Sequence, residues 1–406
     1  MARGRRLLIA FLAIVATGSA VLGAVIGASQ DDPPERGAVA GERAGRSFLA
    51  QIVPPPAKRR RASGPEALPR DAAALARALP LERRVAQLFL LGFDGTDLNA
   101  EIFRRLRSLD LGGIVIGNRN YTGSDLLGAL AGEARVIAEE ERHVRPFVMV
   151  SQPGGELNSF PDLPPPTAPA ELRSADDAAA EAAESASALT TLGVTGVLGP
   201  ALDVSPEGGS ALGALAYSDD PAEVTGFANA VLAAYRDAGM FTAASHFPGL
   251  GSADQSTEDG PASVGLDLPE LRDRDLLPFR AAIQAGAPAV LLSHALYPMN
   301  DFTAPGSLSV EVATDLLRDE LGYQGVAITD DLAEPAVEIA ASVPQAAVQA
   351  VRAGADMLLI SGPASDQQDA YDAVLAAVRR GAIKRARLDQ AVARILAAKQ
   401  DYGLLG

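Results

Sequence analysis

Eight short apolar runs recur through residues 88–360, and stretches with a helix-like pattern lie between them. Strands that are apolar throughout are typical of a parallel sheet covered by helices. Eight such units predict one (β/α)8 TIM barrel, somewhat longer than the usual size of about 250 residues. An open doubly wound sheet is the alternative, but no Gly-x-Gly-x-x-Gly turn follows any run, so its commonest ligand signature is missing. The apolar runs are Leu88–Phe93, Gly113–Ile116, Phe147–Val150, Val194–Leu198, Phe241–Ala244, Ala289–Leu292, Val326–Thr329 and Met357–Ile360. The helix-like stretches include Asp177–Thr191, Pro221–Ala238, Leu271–Ala285, Val310–Glu320 and Val343–Ala353.

Polar residues follow several of these runs directly. In a barrel the active site lies at the carboxyl ends of the strands, so these residues are candidates for its wall. Asp330 is a candidate nucleophile or base, because a rigid strand would fix its position and apolar surroundings would shift its pKa. Helix capping is the structural alternative, and Asp331 fits that role better than Asp330. The other residues at this rim are Asn118, Arg119, Asn120, Ser151, Gln152, Ser245, His246, Ser293 and His294.

The composition excludes several classes of function. The 406 residues include no cysteine and only three histidines, so thiolate metal sites and disulfides are excluded and few transition-metal sites can form. Any metal would be a hard, oxygen-bound ion. A net charge of -16 argues against nucleic acid as a partner. We therefore predict no cofactor, no resident metal and no nucleic-acid partner.

The amino-terminal region has the pattern of a membrane signal. Arg3, Arg5 and Arg6 precede an uncharged apolar stretch, Leu7–Ala28, which is long enough for a hydrocarbon core that needs about 20 residues. We predict that residues 1–28 are a signal anchor that leaves the barrel on the extracytoplasmic side. Secretion after cleavage of a signal peptide is the alternative. It is disfavoured because the stretch exceeds the usual core of about 7 to 15 residues, and Ile26 occupies a position where cleavage needs a small residue.

Residues 29–66 are predicted to be a linker. They contain Pro54–Pro56 and Lys58–Arg61, a composition typical of a solvated and partly extended segment. The basic cluster suits anionic lipid or an acidic wall polymer, although a plain linker is the simpler interpretation. The predicted barrel domain then occupies residues 67–406.

A series of motifs runs in a fixed order through the rest of the chain. They include Gly199-Pro200 with Asp203, His-Phe-Pro-Gly at 246–249, Ser-His-Ala-Leu-Tyr-Pro at 293–298, Thr-Asp-Asp-Leu at 329–332 and Ala-Gly-Ala-Asp at 353–356. From about Leu81 to Leu404 the chain resembles the barrel of the family 3 glycoside hydrolases. Within that family it is most similar to the single-barrel bacterial β-N-acetylglucosaminidases that trim cell-wall sugars. The resemblance implies a TIM barrel, an amino-sugar glycan as partner and, if the protein is active, hydrolysis of O-glycosidic bonds with retained stereochemistry.

The resemblance also implies roles for particular carboxylates. The family's nucleophile is the Asp of a Ser/Thr-Asp-x-Leu segment, which corresponds to Asp330, and a retaining glycosidase needs such an ionised carboxylate. The family's acid/base pair is an Asp and a His in the loop after His-Phe-Pro-Gly, and those positions hold Ser256 and Glu258. Glu258 is a candidate acid/base if burial raises its pKa, and a solvated loop carboxylate is the alternative. Asp254 and Asp259 are further candidates.

Positions that bind sugar hydroxyls in the family have also changed. The expected Asp and Arg after the third strand are Ser151 and Ser159, and the expected Lys before His246 is Ser245. Each charged hydrogen bond is worth about 1.5 to 3 kcal/mol, so these losses together remove much of the affinity for the usual ligand. The predicted substrate-binding residues are His246, Arg119, Asn118, His294 and Gln152, and His294 is equally well explained as a structural histidine behind the site.

Three hypotheses follow from the sequence. The first is an active hydrolase of altered specificity that uses Asp330 with Glu258 or another loop carboxylate. The second is a membrane-tethered, catalytically impaired homologue that binds envelope glycan or a partner protein. The third is a structural envelope domain whose rim residues serve only to pack loops, and the retained polar rim residues argue against it.

Overall fold

The computed structural model describes residues 70–206, 209–300, 302 and 304–405. Eight parallel strands form one sheet, in which the first seven strands pair in chain order and the eighth pairs with the first. A parallel bridge between Ile328 and Met357 joins the seventh strand to the start of the eighth and closes the sheet. The predicted TIM barrel is confirmed. The strands are β1 (Phe89–Gly92), β2 (Gly113–Val115), β3 (Phe147–Val150), β4 (Gly196–Ala201), β5 (Phe241–Phe247), β6 (Ala289–Leu292), β7 (Val326–Thr329) and β8 (Leu358–Ile360).

Helices cover the outside of the barrel. The helix Ser124–Glu140 shows why: Leu127, Leu130, Ala134 and Ile137 recur every three or four residues, so they share one face and all are buried. The α-helices are α1 (Arg70–Ala78), α2 (Leu81–Ala86), α3 (Glu101–Ser108), α4 (Ser124–Glu140), α5 (Ala175–Thr191), α6 (Pro221–Asp237), α7 (Leu268–Asp273), α8 (Leu276–Gln284), α9 (Pro335–Glu338), α10 (Val343–Ala353), α11 (Ala364–Arg379) and α12 (Arg385–Asp401). The segment Glu311–Glu320 is a helix of the π type.

The predicted helix over residues 271–285 is wrong in one respect, because the chain forms two helices there. Arg274 lies between α7 and α8 with φ -127° and ψ -77°, outside the helical region. Its guanidinium donates hydrogen bonds to the carbonyls of Val204 and Ser205, and to the hydroxyl of Ser252. Arg274 therefore fixes the loops that follow β4 and β5, and these contacts accompany the break in the helix.

Two strands extend further than their apolar runs indicate. β4 begins at Gly196 and continues to Ala201, and β5 continues through Ser245 and His246 to Phe247. The end of β5 pairs with both β4 and β6, although the register shifts along each pairing. Ser245 pairs with Ala201 of β4, and Phe247 pairs with Leu292 of β6. His246 is consequently held by a strand, which fixes its position more firmly than a loop would.

A buried ionic cluster stabilises the opposite end of the barrel. Asp356, which precedes β8, is fully buried and contacts Arg318 at 2.7 Å, Arg387 at 2.5 Å and Arg394 at 3.2 Å. The three guanidinium groups hold the pKa of Asp356 below its ordinary value, although burial acts in the other direction. This cluster ties the π-type helix and α12 to the start of β8.

The predicted membrane segment and linker, residues 1–28 and 29–66, lie outside the described residues. Among the residues that the structure does describe, no helix combines the length and the apolar character needed to cross a membrane.

Candidate active site

A cavity of about 420 Å³ opens at the carboxyl ends of the strands. Its volume lies within the range of about 300 to 1,000 Å³ that is typical of small-molecule sites. Residues from the loops after β2, β3, β5, β7 and β8 line it, so the structure brings together side chains that are far apart in sequence. The polar residues of its wall include Asn118, Arg119, Gln152, His246, Glu258, Asp330 and Glu334.

Asp330 lies at the tip of β7, as the sequence predicts. Its backbone N–H donates to the carbonyl of Leu292 in β6 at 3.0 Å, which continues the sheet pairing up to the site. Its side chain is 12% exposed, and Oδ1 accepts a hydrogen bond from the backbone N–H of Asp331 at 3.0 Å. The other oxygen, Oδ2, lies 4.0 Å from Nε2 of His246. Asp330 therefore presents a fixed carboxylate oxygen on the floor of the cavity.

Asp331 stabilises the loop rather than the cavity floor. Its Oδ1 accepts hydrogen bonds from the backbone N–H groups of Ala333 at 3.0 Å and Ser361 at 2.9 Å, and the Ser361 hydroxyl donates to Oδ2. These contacts form a turn after β7 and join it to the end of β8. The division of roles between the adjacent carboxylates follows the order in the sequence, with Asp330 nearer the strand.

His246 and Asp203 form a buried dyad beside Asp330. Nδ1 of His246 lies 2.7 Å from Oδ2 of Asp203, and Asp203 also accepts hydrogen bonds from the backbone N–H groups of His246 and Leu250. Burial by itself would lower the pKa of His246, but the Asp203 carboxylate, with Asp330 and Glu258 at longer range, raises it to about 9. At neutral pH His246 is an imidazolium facing Asp330.

His294 lies behind the site and does not line the cavity. It is 1% exposed, and its Nε2 donates to the backbone carbonyl of Asp331 at 2.9 Å. The Ser307 hydroxyl is 2.7 Å from Nδ1, which completes a consistent set of bonds for the neutral ring. Burial lowers the pKa of His294, with Asp330 and Asp331 acting in the other direction. Both nitrogens are used by the protein itself, so His294 supports the loop after β7.

Gln152 holds the loop that follows β3. Its Nε2 donates to the carbonyls of Phe160 and Leu163 at 3.0 Å, and its Oε1 accepts from the N–H of Phe160 at 3.1 Å. These bonds leave little of the amide for a ligand. Gly154 begins the intervening turn with φ +130°, and a side chain there would meet the carbonyl of Thr167 at 2.1 Å, so this turn requires glycine.

Asn118 and Arg119 lie on the exposed rim. They belong to a single turn of 3₁₀ helix, Asn118–Asn120, whose last side chain anchors it by donating to the carbonyls of Phe93 and Gly95. Arg119 is 44% exposed and contacts Asp94 at 3.2 Å and the carbonyl of Ser361 at 3.3 Å. Its guanidinium lies at the mouth of the cavity.

Glu258 also reaches the cavity, from the loop after β5. It is exposed to solvent, and its backbone N–H donates to the hydroxyl of Ser256 at 3.2 Å. Asp254 and Asp259 are exposed and do not line the cavity. Of the carboxylates proposed for this loop, Glu258 alone is therefore close to the floor formed by Asp330.

Two residues of the site carry more than the sequence reasoning assigned to them. Asp203 is visible in the sequence only as part of a motif, and its bond to His246 depends on two separate strands. Glu334 follows Asp330 by four residues and lines the same cavity, but the sequence gives no signal that its side chain turns inward. In the described part of the chain, no group of three or more His, Asp or Glu side chains has the arrangement of a metal site.

Known proteins share both the sequence pattern and the fold. A family model described as "Glycosyl hydrolase family 3 N terminal domain" matches residues 80–398. A β-hexosaminidase from Stenotrophomonas maltophilia is 31% identical over 285 residues, which cover 68% of this chain and 84% of that protein.

Solved structures agree. A family 3 β-N-acetylglucosaminidase from Paenibacillus is 32% identical with a TM-score of 0.76, and the match covers 80% of this chain but 63% of that longer one. A β-N-acetylhexosaminidase from Beutenbergia cavernae is 29% identical with a TM-score of 0.72, over 79% of this chain and 99% of that one. The chain therefore belongs to glycosyl hydrolase family 3, as a β-N-acetylhexosaminidase-like member.

Proposed function

We propose that this protein is a retaining glycoside hydrolase that acts on N-acetyl-β-hexosaminides, with Asp330 as the nucleophile. The observation that carries the proposal is the position of Asp330: a fixed carboxylate on the cavity floor, 4.0 Å from the His246 imidazole. The similar proteins named above are β-hexosaminidases and β-N-acetylglucosaminidases, which supports an amino sugar as the substrate class.

The charges around Asp330 suit nucleophilic attack. The imidazolium of His246 lies 4.0 Å from Oδ2 of Asp330, so it attracts the negative charge of the proposed nucleophile. In the first step Asp330 Oδ2 bonds to the anomeric carbon as the glycosidic bond breaks, and in the second step water releases the sugar from the enzyme. His246 and Arg119 are proposed to bind substrate at the floor and at the rim of the cavity.

A catalytically impaired, glycan-binding homologue is the second candidate. The observation that favours it is that the histidines near the site are already hydrogen-bonded within the protein. His246 is hydrogen-bonded to Asp203, and both ring nitrogens of His294 have protein partners. His143 lies in the loop before β3, at the other end of the barrel, and its Nδ1 contacts the carbonyl of Leu106. None of the three histidines is thus placed as the acid/base imidazole of the relatives.

We also propose that the barrel domain, residues 67–406, works outside the cytoplasmic membrane. The support is the apolar stretch Leu7–Ala28 behind Arg3, Arg5 and Arg6. Protease treatment of intact spheroplasts tests this: digestion of the barrel is expected, while protection of the barrel would place it in the cytoplasm. Recovery of the barrel in the medium, cleaved from its membrane segment, would support secretion instead of anchoring.

Hydrolysis of an aryl N-acetyl-β-glucosaminide by the full-length protein tests the proposed activity. The wild type is expected to turn over, and Asp330→Asn is expected to lose turnover while it stays folded. If the wild type binds N-acetylglucosamine but hydrolyses no aryl hexosaminide, the binding function is correct and the hydrolase function is wrong.

A further inference from the structure

Glu334 is a carboxylic acid in the wall of the cavity that the family resemblance does not assign. Its backbone is fixed by the turn after β7, because its N–H donates to the carbonyl of Asp331 at 2.9 Å and its carbonyl accepts from Val337 at 2.9 Å. Its Oε2 is buried and has no hydrogen-bond partner in the described structure. A buried polar atom without a partner is costly, and one in an active-site wall is a candidate for contact with substrate.

The side chain of Glu334 lies where two functional loops meet. The N–H of Ala336 donates to the carbonyl of Thr257 at 3.3 Å, which joins the start of α9 to the loop after β5. Thr257 is 3% exposed, and its side chain is close enough to the Glu334 carboxyl to lower the pKa of that group. Thr257 stands between Ser256 and Glu258, the positions that hold the acid/base pair in the resembling family. Glu334, in the loop after β7, therefore lies beside the part of the β5 loop that holds the acid/base positions.

The surroundings of Glu334 favour its protonated form. Burial raises its pKa most, the negative charge of Asp330 adds to the effect, and the Thr257 hydroxyl opposes both. Asp331 from the same loop and Glu258 from the loop after β5 raise the pKa further. The positive charges of the same wall are His246 at the end of β5 and Arg119 on the β2 loop, and neither is among the groups that lower the pKa of Glu334 appreciably.

We propose that Glu334 is the proton donor to the leaving-group oxygen, in place of the imidazole that this chain lacks. When Asp330 attacks the anomeric carbon, the electron pair of the breaking bond goes to the glycosidic oxygen, which takes the proton from Glu334. Glu334 is then a carboxylate, and it takes a proton from the water that attacks the glycosyl-Asp330 ester. Asp330 leaves as a carboxylate and both groups return to their starting forms.

Desolvation distinguishes Glu334 from Glu258. Glu258 is exposed, whereas Glu334 is partly enclosed and one of its oxygens is fully buried. Two carboxyl groups in one site take different roles when their environments differ, and the less solvated group retains its proton. The inference rests on the proposed hydrolase function and names the acid which that function requires.

The dependence of turnover on the leaving group tests the inference. Full-length Glu334→Gln is compared with the wild type on phenyl and 2,4-dinitrophenyl N-acetyl-β-glucosaminides. A phenyl leaving group needs protonation and a dinitrophenyl group does not, so kcat/KM, which reports the first step, should fall about 10²- to 10⁴-fold on the former and less than about tenfold on the latter. Added azide should speed the variant on the dinitrophenyl substrate and yield the β-glycosyl azide. Glu338→Gln, an exposed residue of α9, is the matched control and should behave as wild type.

The possible outcomes distinguish a wrong inference about Glu334 from a wrong proposed function. If the wild type hydrolyses both substrates and Glu334→Gln shows the same leaving-group dependence, the inference is overturned and the hydrolase function stands. If Glu258→Gln shows the large selective loss instead, Glu258 is the acid. If the wild type hydrolyses neither substrate, both proposals fall. Should Glu334→Gln not fold, Glu334→Asp carries the same test, because it keeps the acid but withdraws it from the leaving group.

Discussion

Nδ1 of His246 lies 2.7 Å from Oδ2 of Asp203, and this bond directs the opposite ring nitrogen toward Asp330. Asp203 follows β4 and His246 lies in β5, one residue before its end, so two adjacent strands fix the pair. A carboxylate that binds one nitrogen of an imidazole sets both its orientation and its charge. The dyad therefore controls the electrostatic environment of the proposed nucleophile.

Asp203→Asn should move the alkaline limit of activity to lower pH. The pKa of His246 is raised to about 9, so activity that needs the imidazolium should fall as pH rises through about 9. Without the Asp203 charge, burial is opposed by weaker effects and the limit moves toward or below 6.5. The pH profile of kcat/KM measures the shift, and an unchanged alkaline limit would show that His246 does not need to be charged.

The same dyad should make stability depend on pH. A histidine whose pKa is higher in the folded protein contributes stability that is fully present below its unfolded value of about 6.5 and is lost as pH rises through about 9. Urea unfolding at pH 6 and pH 9.5 should show this loss in the wild type and a smaller one in Asp203→Asn. The two proteins should differ most at the lower pH.

Glu334→Gln should stabilise the protein at neutral pH. A carboxyl group whose pKa is raised by folding contributes stability below its unfolded pKa and loses it as pH rises through the folded value. Each unit of raised pKa corresponds to about 1.4 kcal/mol at high pH, and the neutral amide avoids this cost. The gain should appear in urea unfolding at pH 8 and vanish near pH 4, whereas a loss at pH 8 would contradict a protonated Glu334.

Asp356→Asn should destabilise the barrel without altering the site. Removing one partner of a buried ionic cluster costs about 3 to 5 kcal/mol, because it leaves the other charges buried and uncompensated. Its contribution is present above the unfolded pKa and is lost only as pH falls through the lowered folded value, so pH 7 shows the full effect. Glu139→Gln breaks the exposed pairs with Arg135 and Arg145 and should cost less than about 1 kcal/mol.

Gln152→Ala should act through the loop after β3. The variant leaves the backbone N–H of Phe160 and the carbonyl of Pro164 without their hydrogen-bond partner, which costs about 1 to 3 kcal/mol of stability. Hydrogen exchange should rise in residues 153–165 while binding of N-acetylglucosamine changes little. A large loss of binding with a protected loop would instead support direct contact between Gln152 and the sugar.

Much of the fold is predictable because buried parallel strands are apolar on both faces. The bounds of β3, β6 and β7 match their apolar runs, since each run stops where the strand stops. The apolar run Phe241–Ala244 is shorter than β5, because the last residues of the strand include Ser245 and His246, whose polarity reflects the cavity rather than the end of the strand. Local hydropathy cannot separate these two causes.

The contacts within the site are harder to predict than its location. The place of Asp330 follows from its position after a strand, whereas the inward turn of Glu334 depends on how α9 packs against Thr257 from a distant loop. Likewise, the sequence around Gln152 does not show that its side-chain amide donates hydrogen bonds to carbonyls 8 to 12 residues later in the chain. Tertiary contacts, which a single sequence does not encode locally, decide these roles.

Intact-mass spectrometry after incubation with 2,4-dinitrophenyl 2-deoxy-2-fluoro-β-glucoside, or a 5-fluoro N-acetylglucosaminyl fluoride, tests the central claim most directly. These reagents form the glycosyl-enzyme readily and release it slowly, and neither leaving group depends on the acid. We predict one adduct per chain, mapped to the peptide that contains Asp330 and absent from folded Asp330→Asn. An adduct on another carboxylate, or no adduct on folded wild-type protein with either reagent, would contradict Asp330 as the nucleophile.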